Sequence, residues 1–134
     1  MRIVIDTNVL VASISRKSPY RLILDRLQTK DFDLYVTTEI LLEYDELLER
    51  FYSKEVADLR LGGFSLMENV FKIEVYFNFQ TIDKDKDDNK FVDCAFASNA
   101  HYLVTNDKDY NVLKSREFPR INLLKAEAFM DLLR

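Results

Sequence analysis

The chain has 134 residues, 48% of them apolar, enough for one domain with a single core, and a formal net charge of −4, which disfavours a broad basic surface for nucleic acid. With one cysteine, Cys94, and one histidine, His101, neither an internal disulfide nor a zinc site of Cys and His can be assembled. The two glycines, Gly62 and Gly63, are adjacent, which excludes Gly-rich dinucleotide loops and Walker-type phosphate loops.

Residues 2–5 form a short apolar run that stops at Asp6 and reads as a buried strand. Ligands of an open parallel sheet bind beyond the carboxyl ends of its strands, so Asp6 is well placed for chemistry; its competing role is to cap the helix that follows. Residues 32–36 read as a second strand, and residues 39–51 as a helix with apolar positions at Ile40, Tyr44, Leu47, Leu48 and Phe51. At about 100° per residue this stripe centres near Tyr44 and Phe51. Glu43 lies on its border, whereas Glu39, Glu46 and Glu49 point further outward.

The Gly62-Gly63 pair reads as a break between helical segments 53–61 and 64–70. Residues 71–79 alternate apolar and polar, as a half-exposed edge strand should. The charged run Asp83-Lys84-Asp85-Lys86-Asp87-Asp88-Asn89 then precedes a helix over 89–100. Projected back along that helix, Asp88 shares the face of Phe91, Val92 and Ala95, while Asp93 falls on the opposite side and reads as a surface residue. Residues 102–104 are another apolar strand, and Asp107 follows its end, either as a second rim carboxylate or as a turn residue. A short strand in 120–124 and a helix over 126–133 close the chain. The sum is one three-layer α/β domain, residues 1–134, with a mainly parallel sheet.

Three or four carboxylates at one rim are unfavourable unless a positive charge sits among them. Oxygen-only ligands favour Mg²⁺ or Mn²⁺, which keep waters for substrate phosphates and can activate water against a phosphodiester. Cys94, in mid-helix, and His101, beside a strand, are assigned to structure rather than to a nucleophile pair. No apolar run approaches the roughly 18 residues of a membrane span, and the start is too short for a signal peptide. A cytoplasmic protein without membrane contact is expected.

Four segments in this order resemble the PIN domains, in particular the toxin components of bacterial and archaeal toxin-antitoxin systems. They are Ile3-Val4-Ile5-Asp6-Thr7-Asn8-Val9-Leu10, Thr37-Thr38-Glu39-Ile40-Leu41-Leu42-Glu43, Asp85-Lys86-Asp87-Asp88-Asn89-Lys90-Phe91 and Ala100-His101-Tyr102-Leu103-Val104-Thr105-Asn106-Asp107. The resemblance implies an α/β/α sandwich with an about five-stranded parallel sheet and a Mg²⁺- or Mn²⁺-dependent endoribonuclease. By position Asp6, Glu43, Asp88 and Asp107 match the family's catalytic, metal-holding acids, Asn8 and Thr105 its supporting polar residues, and Asp109-Tyr110 its acid-aromatic pair. Lys86 departs from a common Pro, and Asp85 and Asp87 leave the register of the third acid open. The resemblance also implies an RNA substrate, a small antitoxin partner and a homodimer. Arg16, Lys17, Arg21, Lys84, Lys86 and Lys90 are candidates for phosphate contacts or, equally, for a solvated charged surface.

Two other readings are open. An acid after the first strand also describes Mg²⁺-dependent phosphotransfer proteins and aspartate-nucleophile phosphatases, but Asp6-Thr7-Asn8 lacks their second acid and no Lys ends the 102–104 strand. A PIN-fold binding module without activity is the third reading, against which the presence of all four acids counts.

Overall fold

The computed structural model describes residues 1–77, 89–115 and 120–134. Strand β1 (Arg2–Ile5) has Ile3, Val4 and Ile5 all fully buried, so both faces of the sheet are covered there. It leads into α1 (Thr7–Ser13) and α2 (Arg21–Gln28), then β2 (Asp33–Val36), α3 (Thr38–Phe51), α4 (Lys54–Leu66) and β3 (Val70–Lys72). After these come α5 (Asn89–Ala97), β4 (Tyr102–Val104), a 3-10 helix (Lys108–Ser115), β5 (Leu123–Leu124) and α6 (Ala126–Leu133). The five strands pair in parallel in the order β3-β2-β1-β4-β5, as expected from sequence, with β3 at an edge.

The chain moves from β1 outward to β3, then returns to the other side of β1 for β4 and β5. Right-handed crossovers therefore put α1 to α4 on one face and α5 on the other. Consistent with this, α1 packs on α2 and α3, α3 on α4, and α5 on β1, β2 and β4. The strand order reverses between β1 and β4, and this switch point leaves a crevice at their carboxyl ends. Ile5 pairs with Val104 there, and the Asp6 amide donates to Val104 O at 2.9 Å, so the residues just past both strands are neighbours.

Several local expectations change. Helix α4 runs unbroken through Gly62 and Gly63, because neither takes a positive φ and Ser53 caps its start by accepting from the Val56 amide. Strand β3 is three residues long and the chain leaves the sheet after Lys72; Asn78 and Phe79 lie outside the described residues. Asp93 is 3% exposed, not a surface residue. Every residue from Phe91 to Ala95 is buried, because α5 is enclosed around its whole circumference here rather than on one stripe. Phe51, placed on the buried stripe of α3, is exposed, whereas Ile40, Tyr44 and Leu48 are fully buried and Leu47 packs against the core partly buried.

Candidate active site

Asp6 is the first residue beyond β1, and its side chain does not cap α1. Instead its Oδ2 accepts from the Thr105 hydroxyl at 2.8 Å, across the switch point. The same Thr105 oxygen accepts from the Asp107 amide at 3.0 Å, so one hydroxyl fixes both rim segments. Asp107 Oδ1 in turn accepts from the Asp109 amide at 2.9 Å, opening the 3-10 helix; the carboxylate is thus a turn residue and a rim acid at once.

Glu43 arrives from the second turn of α3. Its Oε2 accepts from the Thr7 hydroxyl, and its Oε1 lies 3.0 Å from Lys90 Nζ at the start of α5. Tyr44, next in sequence and fully buried, donates its hydroxyl to Ile5 O, tying α3 to the last residue of β1. Capping helps to direct Glu43, since Thr37 accepts from the Ile40 amide and fixes the start of α3.

Asp6 is 4% exposed, and its carboxyl is pushed up to about 6. Burial is the main cause, Glu43 and Asp107 add like-charge repulsion, and hydrogen bonds from Thr105 and the Thr7 backbone pull the other way. Asp6 and Asp107 line an open cleft of about 340 Å³ with Asn8, Val9, Tyr20 and Asn106. Asn106 donates to the Tyr20 hydroxyl at 3.2 Å and accepts from the Ala126 amide at 3.0 Å, which anchors the far wall to α6.

The structure therefore brings Asp6, Glu43, Asp107, Asn8 and Thr105 to one rim. Asp85, Asp87, Asp88, Lys84 and Lys86 lie outside the described residues. Asp109 contributes its backbone to Asp107 and does not line the cleft. Of the cations, Lys90 reaches Glu43; Arg21 is turned to Ile14 O at 2.6 Å and Asp25 at 3.0 Å, and Arg16 and Lys17 are exposed away from the cleft lining. Thr7, Tyr20 and Asn106 were missed from sequence; Thr7 and Asn106 lie inside the quoted motifs, whereas nothing local marks Tyr20. Among the described residues no three His, Cys, Asp or Glu side chains are grouped closely enough to hold a metal ion, and none of their helices is long and apolar enough to cross a membrane.

Fold and cleft together define an α/β protein whose acids gather at the switch point of an open parallel sheet. Residues 2–109 match the PIN domain model, and the chain belongs to the PIN domain family. Among solved structures it is similar to VapBC2 from Rickettsia felis, bound to a DNA fragment from their promoter, at a TM-score of 0.62 and 18% identity over 93% of this chain and 98% of that one. It is also similar to VapC20 of Mycobacterium tuberculosis, a sarcin-ricin-loop-cleaving toxin, at a TM-score of 0.63 and 14% identity over 90% and 98%. Comparison with curated protein sequences returns no match.

Proposed function

We propose that this chain is a divalent-metal-dependent endoribonuclease acting as the toxin of a toxin-antitoxin pair. The observation that carries the reading is Asp6, a nearly buried carboxyl pushed up to about 6 beside Glu43 and Asp107 in a cleft open to solvent. Burying such a group without compensation is unfavourable, and a bound cation is the natural compensation. The donors are oxygens only, which suits Mg²⁺ or Mn²⁺. Membership of the PIN family and the likeness to the fold of an RNA-cleaving toxin support RNA as the substrate.

Asp6, Glu43 and Asp107 do not form a metal-holding group by themselves; together with Asp88, and with waters of the ion completing its shell, they would hold it. It supplies positive charge where negative charge grows on the phosphodiester and makes water a better nucleophile. Thr105 holds the Asp6 carboxylate in place and Thr7 holds that of Glu43. Lys90, 15% exposed and paired with Glu43, offsets part of the repulsion among the acids while no ion is bound. Exposed Leu42, Phe51, Leu59 and Leu66 on α3 and α4 offer apolar surface for a small antitoxin or a second copy of the chain.

The test is cleavage of single-stranded RNA in Mg²⁺ or Mn²⁺ by wild type and by Asp6→Asn, Asp88→Asn and Asp107→Asn. Each variant is expected to lose about a hundredfold or more in rate. Equal activity in the variants would sink the site assignment, and an inactive wild type would sink the enzyme reading.

A further inference from the structure

A second cavity, of about 270 Å³, opens beside the acid cleft. Its walls are the start of α3, the chain leaving β3 and the first turns of α5, and they carry Glu39, Ile73, Glu74, Tyr76, Lys90 and Asp93. The β2–α3 turn and the β3 end lie on the same carboxyl rim of the sheet as Asp6. Strands are about 5 Å apart, so the cavity lies one to two strands, about 5–10 Å, along the rim from Asp6. Lys90 links this cavity to the acid rim, because the side chain that lines it also reaches Glu43 at 3.0 Å.

The chemistry of the lining is not that of a phosphate site. Among the described residues the lining carries the carboxylates of Glu39, Glu74 and Asp93 and one ammonium, that of Lys90, which is already paired with Glu43. Such a wall repels an anion but accepts hydrogen bonds from N–H groups. At the mouth stands Tyr76, 86% exposed, its hydroxyl donating to Glu74 Oε2 at 2.8 Å and so holding the side chain against the acidic wall. An open aromatic ring, hydrogen-bond acceptors and an apolar residue, Ile73, in one lining are the set of groups that takes up an unstacked base.

We propose that this cavity is the base subsite for an unpaired nucleotide flanking the scissile phosphate, with Tyr76 stacking on the base and the carboxylates selecting guanine, whose N1–H and exocyclic amino group both donate, over uracil. The inference rests on the ribonuclease reading above and adds to it a substrate preference. A carboxylate can accept both guanine donors side by side, whereas uracil offers a single N3–H flanked by two carbonyl oxygens that meet it acceptor to acceptor.

The experiment compares cleavage of a uridine-only oligoribonucleotide with the same strand carrying one guanosine, for wild type, Tyr76→Ala, Tyr76→Phe and Glu74→Gln. Wild type is expected to show a KM about tenfold lower for the guanosine strand. Tyr76→Ala raises that KM about tenfold, Tyr76→Phe restores most of it, and Glu74→Gln narrows the preference, since an amide can also donate to O4. An active wild type that treats both strands alike, or whose KM is the same in Tyr76→Ala, overturns the subsite and leaves the ribonuclease standing. A wild type that cuts no RNA removes both.

Discussion

Asp6 is asked to be nearly buried and charged, and the two demands conflict. In the unfolded chain its carboxyl releases its proton near 3.8, whereas in the fold it does so only near 6. Between those values the unfolded state has lost a proton that the folded state still holds, so the contribution of Asp6 to folding stability falls as pH rises from about 4 to about 6 and then levels off. At roughly 1.4 kcal/mol per unit, the shift corresponds to a loss of about 3 kcal/mol. Asp6→Asn keeps an oxygen for the Thr105 hydroxyl and removes the charge. With EDTA present, the stability of the variant relative to wild type should therefore grow by about 2–3 kcal/mol between pH 4 and pH 7, as urea midpoints would report. The same difference at both pH values would mean that the Asp6 charge is already compensated within the apo protein.

At the scale of elements, the site depends on how α3 is fastened to the sheet. Tyr44 fills the core between them and gives its hydroxyl to the terminal carbonyl of β1, next to Asp6. Removing that oxygen with Tyr44→Phe leaves the carbonyl without this donor and should cost about 1–3 kcal/mol, seen as a lower urea midpoint at unchanged slope. A variant as stable as wild type would show that the contact contributes nothing. The place of Glu43 on the border of the buried stripe was legible in the sequence, because helical periodicity reports direction about one axis. What covers the rest of a helix was not. The single-stripe projection put Asp93 in solvent, yet α5 is enclosed by the sheet and by neighbouring segments remote in sequence. Gly62 and Gly63 misled for a related reason: a helix with a capped start and buried Ala57 and Phe64 outweighs the roughly 1 kcal/mol that each glycine costs.

Across the whole molecule, the strand ends were legible because an apolar run that stops at an acid marks both a buried strand and its carboxyl rim, as at Ile5-Asp6 and again near Val104. The bonds that assemble the rim were not, since Thr105 and Asp6 are 99 positions apart, nor were those at the opposite, amino ends of the strands, where Asn69 donates to Leu27 O and Phe32 O at 2.9 Å each but looks in sequence like any loop amide. The fold thus holds acids from three elements together by hydroxyl and amide bonds while their charges repel, so a cation bound there should stabilise the whole protein. At a concentration a hundred times its dissociation constant, an ion that binds only the folded state adds about 2.7 kcal/mol. For a domain of this size that is a rise in Tm of roughly 5–15 °C. Titration of Mn²⁺ into the EDTA-stripped protein at pH 7.5 should show this rise for wild type and much less of it for Asp6→Asn and Asp107→Asn. Lys90→Met should keep it, because Glu43 then loses its competing cation and faces the ion alone. An equal rise in all four proteins would mean that the ion binds elsewhere, and the acids at the switch point would need another partner to offset their repulsion.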